Sequence, residues 1–276
     1  MKIGFIGLGN MATAIIGGLL AQGAAAAGED GPAITAADII GSAKTPETCQ
    51  AQAQRFAIAT TTDNREVAAA ADVLVLAVKP VFFPEVAQEI ADVLRDDTLV
   101  VSIAAGLTVE RIAQMFGRDA EGFRLMRCMP NTPALVGAGC TAVVRSPGAT
   151  DADAALCTRL MDSCGRTILI PERLMDAASA VAGSSPAFAF MFIEALADAG
   201  VEAGMPRAQA YQFAAAALAG SAQLLLETGQ HPGQLKDMVC SPGGTTIEGV
   251  KALEDGAFRA TVMDAVAACV EKAQQL

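Results

Sequence analysis

Lys2-Ile3-Gly4-Phe5-Ile6-Gly7-Leu8-Gly9-Asn10-Met11-Ala12 is the stretch that decides the fold of this chain. A short apolar run leads into Gly-x-Gly-x-x-Ala, and apolar residues at helical spacing follow. Strand, glycine turn and helix in that order are what the start of a dinucleotide-binding α/β unit requires. Gly7 permits the tight turn, Gly9 lets the backbone approach a pyrophosphate, and Ala12 lets the helix lie close to the sheet. N–H groups at the start of the helix, around Asn10 and Met11, have no partner within it and are free to meet an anion. The same turn also serves as a purely structural corner, so its meaning depends on the rest of the chain.

Up to about residue 171, short β-branched runs alternate with helical segments, the pattern of a parallel sheet. Strands are expected at 2–7, 38–41, 57–60, 73–78, 99–103 and 123–128, with 141–145 and 167–170 extending the same sheet. The alanine- and glycine-rich stretch 23–32 reads as a long, mobile surface loop. After Pro171 the strand patterns stop. Helices are expected over 172–181, 186–203, 207–228, 232–239, 246–254 and 256–274. Several are apolar on most of their circumference, notably 188–196 and 213–226, and a small helical domain has too little interior to bury them all. Small residues at 214–217, Ala219 and Gly220 allow close helix approach. The expected architecture is α/β: a Rossmann-type, doubly wound, mostly parallel domain over 1–171, followed by an all-helical dimerisation domain over 172–276 that packs against a second copy.

The 276 residues carry a net charge of −11 and contain no Lys/Arg run, which argues against nucleic acid and anionic membrane surfaces as partners. An anionic ligand must then be held by backbone N–H groups and a few chosen cations. Seven scattered cysteines with no Cys-x-x-Cys pair suggest neither a metal site nor a disulfide framework, and fit a reducing compartment. The glycines at 4, 7 and 9 interrupt the first apolar stretch, so it is not read as a secretory leader. No run of nearly 20 strongly apolar residues is apparent, and a soluble, cytoplasmic protein is expected.

In a doubly wound sheet, ligands bind beyond the carboxyl ends of the strands. Those ends carry Gly7 to Met11, then Ser42, Lys44 and Thr45, then Asp63 and Asn64. Val78, Lys79 and Pro80 follow, then residues 102–106 and 129–133. Where an NAD enzyme usually places Asp or Glu on the adenosine ribose, this chain has Ser42, Lys44 and Thr45, hydroxyls and a cation suited to a 2′-phosphate. Glu47 is the nearest acid and falls in the next helix. NADP(H) is therefore the preferred cofactor, with NAD(H) as an alternative.

A second constellation is Cys240-Ser241-Pro242-Gly243-Gly244-Thr245-Thr246-Ile247-Glu248. Thr245-x-x-Glu248 has the form of a capping box, which is usually structural. The Pro-Gly-Gly lead-in exceeds what capping needs. Gly243 and Gly244 let successive N–H groups converge on an anion at a positive helix end. Gly243, Gly244, Thr245 and Thr246 are thus candidate binders of a substrate carboxylate, with the Thr246 hydroxyl the candidate catalytic group. His231, the one histidine, precedes Pro232 in a helix–helix loop and reads as a loop or cap residue. The lack of an acid–base dyad or metal cluster suggests a reaction that needs little beyond hydride positioning and electrostatics.

At these residues the chain resembles the pyrroline-5-carboxylate reductase family, essentially end to end. The likeness includes residues 5–11, Leu76-Ala77-Val78-Lys79-Pro80, 102–106, 127–133 and 194–200. Its most specific parts are His231-Pro232-Gly233-Gln234-Leu235-Lys236-Asp237 and Ser241-Pro242-Gly243-Gly244-Thr245-Thr246-Ile247. The resemblance implies reduction of 1-pyrroline-5-carboxylate to L-proline by an interlocked homodimer. It also implies an active site at the domain junction, cofactor contacts from Asn64, Lys79 and Pro80, and Ala104 near the nicotinamide. In many members dimers build larger rings. Where the family usually has Ser-Gly-Ser-Gly-Pro, this chain has Ala182-Gly183-Ser184-Ser185-Pro186, with Ser185 a candidate cap for the following helix. Two alternatives are a 3-hydroxyacid-type dehydrogenase and a non-catalytic dinucleotide-binding regulator. Against the first, residues 187–200 contain no lysine.

Overall fold

A computed structural model describes residues 1–25 and 33–275. Its strands are β1 (Ile3–Ile6), β2 (Ile39–Ser42), β3 (Ala59–Thr61), β4 (Val73–Leu76), β5 (Leu99–Ser102), β6 (Leu125–Met129), β7 (Gly139–Arg145) and β8 (Gly165–Leu169). They form one sheet in the order β3-β2-β1-β4-β5-β6-β7-β8. Neighbours are parallel except β6 and β7, which run antiparallel with Cys128 opposite Val143. The winding direction reverses between β1 and β4, the place where a doubly wound sheet opens a crevice for ligands.

Strand alternation sorts the core into two layers. Ile3, Phe5, Val73, Val75, Leu99 and Val101 face one side, where they meet Ile15, Ile16 and Leu19 of α1 (Asn10–Ala25). Cys49 of α2 (Pro46–Phe56) packs into the same layer. Ile6, Leu74, Leu76 and Val100 face the other side. There they meet Val67 and Ala68 of α3 (Asn64–Ala70), Phe83 and Ile90 of α4 (Phe83–Ile90), and Ile112 of α5 (Val109–Met115). Cys157, Leu160 and Met161 of α6 (Asp151–Asp162) return to the first layer beneath β7 and β8. α1 continues through Ala25, so the expected loop begins later than residue 23, and the rest of it lies outside the described residues.

Contacts divide the chain into one unit over Met1–Gly183, joined by a few C-terminal residues from Lys272, and another over Ser184–Glu271. The switch from strands to helices at Pro171 precedes that division. Between them lie a 3-10 turn Glu172–Leu174, the short α7 (Met175–Ala178) and a π-helical stretch Ser179–Ser184. Met175 and Ala178 pack on the second layer of the sheet, which ties this segment to the first unit. Asn131 supports it further, donating from Nδ2 to the Ala182 carbonyl at 2.9 Å.

The second unit consists of α8 (Ser185–Glu202), α9 (Arg207–Thr228), α10 (Pro232–Val239), α11 (Thr245–Asp255) and α12 (Phe258–Ala273). α8 and α9 meet through small residues: Ala197, Ala210 and Ala214 are its buried apolar side chains among the described residues. Large ones stand open instead. Phe190 is 63% exposed, Met191 68%, Phe213 66% and Met263 71%.

Two sequence expectations need correction here. Ser185 does not cap a helix start, because Ser184 before it is already helical and makes no side-chain cap bond. The expectation that no segment could span a bilayer also fails on length and composition alone. The π-helical stretch joins segments that looked separate, so that Glu172–Glu202 becomes one helical run long and apolar enough to qualify.

Candidate functional site

Beyond β1 the chain turns at Gly7, whose φ of 95° is left-handed. Its N–H donates to the Ser42 carbonyl at 3.0 Å. A Cβ at Gly7 would sit 2.8 Å from the Ala77 carbonyl oxygen, so glycine is required where the ends of β1, β2 and β4 converge. Gly9 is exposed, and a Cβ there would meet nothing within 4 Å. The space in front of Gly9 is therefore unfilled by protein, as an approaching pyrophosphate needs. α1 starts at Asn10 with Asn10 exposed and Met11 half-buried, while Ala12 is wholly buried against the sheet. The N–H groups of its first turn point out of the helix at this cradle.

At the end of β2 the structure revises the role of Ser42. Its side chain is fully buried, and Oγ donates to Oδ1 of Asn64 at 2.7 Å. A hydroxyl so placed does not face a 2′-phosphate; it supports Asn64. Lys44 and Thr45 remain exposed. Thr45 caps α2, accepting from the Thr48 N–H at 3.3 Å. The Lys44 ammonium lies 5.9 Å from the ring centre of Phe82, a half-exposed aromatic just after Lys79 and Pro80. Sequence reasoning missed Phe82, since nothing local couples it to Lys44 across 38 residues.

Asn64 opens α3, whose N-cap Asp63 accepts from the N–H groups of Arg65 and Glu66. Its Nδ2 donates to Oε2 of Glu89, on α4, at 2.7 Å. Glu89 was likewise not legible in the sequence. Val78 is half-buried, and Lys79 and Pro80 are exposed at the end of β4, where Lys79 precedes a 3-10 turn Pro80–Phe82. Ala104, after β5, is buried in the second core layer and its N–H bonds Ser102 Oγ at 3.3 Å. Like Ser42, it is closed to solvent and supports its strand end. Gly7, Gly9, Asn10, Met11, Lys44, Asn64, Val78, Lys79 and Pro80 thus gather beyond the carboxyl ends of β1 to β4.

The 240–246 segment belongs to the second unit. Gly243 has φ 66°, and the Gly244 N–H donates to the Ser241 carbonyl at 3.0 Å. The left-handed φ favours glycine at 243, while a Cβ on Gly244 would lie 2.2 Å from Ser241 Oγ and oblige that hydroxyl to turn away. The expected capping box is displaced by one residue. Gly244 is the N-cap, Thr245 is the first helical residue of α11, and no side-chain cap bond forms. Thr245 and Thr246 are exposed in the first turn, where helix N–H groups favour an anion. His231 caps α10, its Nδ1 accepting from the Gly233 N–H at 3.1 Å. Among the described residues, no three His, Cys, Asp or Glu side chains gather as a metal site.

A glycine turn at the switch point of a doubly wound sheet, coupled to a helical unit with uncovered apolar faces, defines the class: a dinucleotide-dependent oxidoreductase that pairs through its helices. Residues 2–106 match the family described as NADP oxidoreductase, coenzyme F420-dependent, and residues 172–276 match pyrroline-5-carboxylate reductase dimerisation. The pyrroline-5-carboxylate reductase of Escherichia coli (strain K12) is 48% identical over 275 residues, covering 100% of this chain and 98% of the relative. That of Arabidopsis thaliana is 37% identical, again over 100% of this chain and 95% of the relative. Among solved structures, the Coxiella burnetii pyrroline-5-carboxylate reductase superposes with a TM-score of 0.89 at 34% identity, covering 99% of this chain and 97% of that one. The Plasmodium falciparum enzyme with NADP bound gives 0.83 at 32% identity, over 100% and 97%. This chain belongs to the pyrroline-5-carboxylate reductase family. A Mycobacterium tuberculosis 3-hydroxyisobutyrate dehydrogenase, at 14% identity and TM-score 0.52 over 89% of this chain and 71% of that one, shares the fold alone.

Proposed function

We propose that this protein reduces 1-pyrroline-5-carboxylate to L-proline, with NADP(H) as the preferred nicotinamide cofactor and NAD(H) as the alternative. The observation that carries this is the 48% identity with the Escherichia coli enzyme across the whole chain, strand-end turn and 240–246 segment included. The open space before Gly9 and the free first turn of α1 fit a dinucleotide.

When bound, the reduced nicotinamide supplies a hydride to the imine carbon. The imine nitrogen must gain a proton, so that C=N becomes CH–NH and charge balances. An imine carbon accepts hydride best when its nitrogen is already protonated. This chain then has mainly to hold, orient and dry its reactants. Gly7, Gly9, Asn10, Met11 and Ala12 form the pyrophosphate turn. Lys44, whose ammonium lies over the Phe82 ring, meets the 2′-phosphate, and Asn64, Val78, Lys79 and Pro80 bound the rest of the cofactor. Gly243 and Thr245 hold the substrate carboxylate by their N–H groups, Gly244, whose own N–H is turned back to the Ser241 carbonyl, shapes the loop, and the Thr246 hydroxyl is the candidate catalytic group. Residues 172–276 act as the dimerisation and substrate-binding domain and residues 1–171 as the cofactor domain, in the cytoplasm. The dimer is the working unit.

The test follows nicotinamide absorbance as purified protein meets NADPH and racemic 1-pyrroline-5-carboxylate, with NADH in parallel. Imine-dependent oxidation that yields proline supports the reading, and the two rates rank the cofactors. Folded dimer that binds NADPH yet shows no imine-dependent oxidation of either NADPH or NADH would overturn it.

A further inference from the structure

The amide of Asn64 is held from two sides, and the two holds differ in kind. Ser42 Oγ lies 2.7 Å from Oδ1, and Glu89 Oε2 lies 2.7 Å from Nδ2. A serine hydroxyl donates or accepts as its proton rotates, so Ser42 alone would tolerate either orientation of the amide. An ionised carboxylate only accepts. Glu89 therefore forces the NH2 group to its own side and turns Oδ1 toward Ser42.

Glu89 is itself well placed to do this. Arg65, the residue after Asn64, donates to the Glu89 carbonyl at 2.7 Å and to both carboxylate oxygens of Asp92 at 2.6 and 2.8 Å. One turn of α3 thus clamps the end of α4 through Arg65, and the end of α4 reaches back through Glu89 to Asn64. Each amide group of Asn64 keeps unused capacity after these bonds: one N–H and one lone pair.

We propose that Glu89 is a positioning residue for cofactor binding, fixing which way round Asn64 presents its amide to the adenosine side of the dinucleotide. This rests on the reading of the strand ends as the cofactor site. Glu89 touches neither cofactor nor substrate in this role; it acts through Asn64. Its carboxylate only accepts, so an amide of equal size, which can donate as well as accept, ceases to dictate the orientation without removing bulk.

The experiment compares Glu89→Gln, Asn64→Ala and the double variant by steady-state kinetics with NADPH and with NADH. Glu89→Gln is expected to raise KM for both cofactors about twofold, with kcat and the imine KM unchanged. In the Asn64→Ala background the same change should add nothing. Glu89→Asp should restore part of the loss if Asn64 is again met by an acceptor. If Asn64→Ala weakens cofactor binding and Glu89→Gln does not, the positioning role is wrong. A lower KM for NADPH alone in Glu89→Gln would mean simple charge repulsion instead, and also overturns it. If Asn64→Ala itself leaves both cofactor KM values unchanged, the failure lies with the site reading.

Discussion

Arg124 and Asp153 are paired through both carboxylate oxygens, and the Asp153 side chain is only 3% exposed. Asp153 is also the third residue of α6 and receives the N–H and hydroxyl of its N-cap, Thr150, each at 2.9 Å. The guanidinium of Arg124, aided by these two donors and opposed by desolvation, lowers the Asp153 pKa from 3.8 to about 2. A depressed carboxylate stabilises the fold fully above its unfolded pKa, near pH 4, and ceases to do so as pH falls toward 2. About 1–2 kcal/mol of stability should vanish across that window. Urea midpoints measured between pH 5 and 2 check this; in Asp153→Asn the slope should flatten, with roughly 1–3 kcal/mol already lost at pH 7.

The two glycines of the first turn should fail differently. Gly7→Ala forces a methyl to within 2.8 Å of the Ala77 carbonyl at φ 95°, and is expected to cost the fold itself more than about 1 kcal/mol. Gly9→Ala meets no protein atom and should leave the melting temperature within about 2 °C. It should nevertheless weaken NADPH binding, because its methyl enters the space the pyrophosphate needs. Thermal unfolding and fluorescence titration of the two variants side by side separate the cases. Equal loss of stability in both would refute the distinction.

Lys44→Ala should raise KM for NADPH about tenfold and change KM for NADH less than about twofold, since the lost partner is the 2′-phosphate. Phe82→Ala, which removes the ring 5.9 Å from the ammonium, should move the ratio the same way but less. Parallel loss for both cofactors would take Lys44 out of the specificity argument.

Thr246→Ala is expected to lower kcat/KM about tenfold while NADPH affinity stays as it was. Steady-state kinetics with the imine varied, beside a direct NADPH titration, provides the check. Unchanged kinetics would exclude Thr246 from the site.

Phe190→Asp or Phe213→Asp places a charge on a face left 63% or 66% open in the single chain. Each should shift the dimer toward monomer by at least about 2 kcal/mol, read by analytical ultracentrifugation. A charge at an open position that changed nothing would put the pairing surface elsewhere on the helical unit.

What the sequence displayed and what it hid follow from the range of the forces involved. Short apolar runs such as 73–76 and the Gly7 turn are local, so the strands and the crevice beyond their carboxyl ends were readable in the sequence. The helix spanning 207–228 was readable to the residue, because Pro206 and Gly229 mark its ends. Ser42 was misjudged because a strand buried on both faces gives no alternation to say where a side chain points. The Asn64–Glu89 bond joins residues 25 apart, and no local pattern announces it. The cap of α11 slipped by one residue because Gly244 already supplies the extended backbone that Thr245 was expected to supply. The π-helical stretch 179–184 left no mark at all, since its residues suit an ordinary helix equally well.

A unit whose own interior amounts to Ala197, Ala210 and Ala214 has little around which to fold alone. Its core arrives with the partner, so folding and association become a single event governed by mass action. The melting temperature of this enzyme should then climb with protein concentration, and dilution should act on it as a denaturant does. Synthesis of the chain accordingly sets two things at once: how many molecules a cell contains, and what fraction of them work.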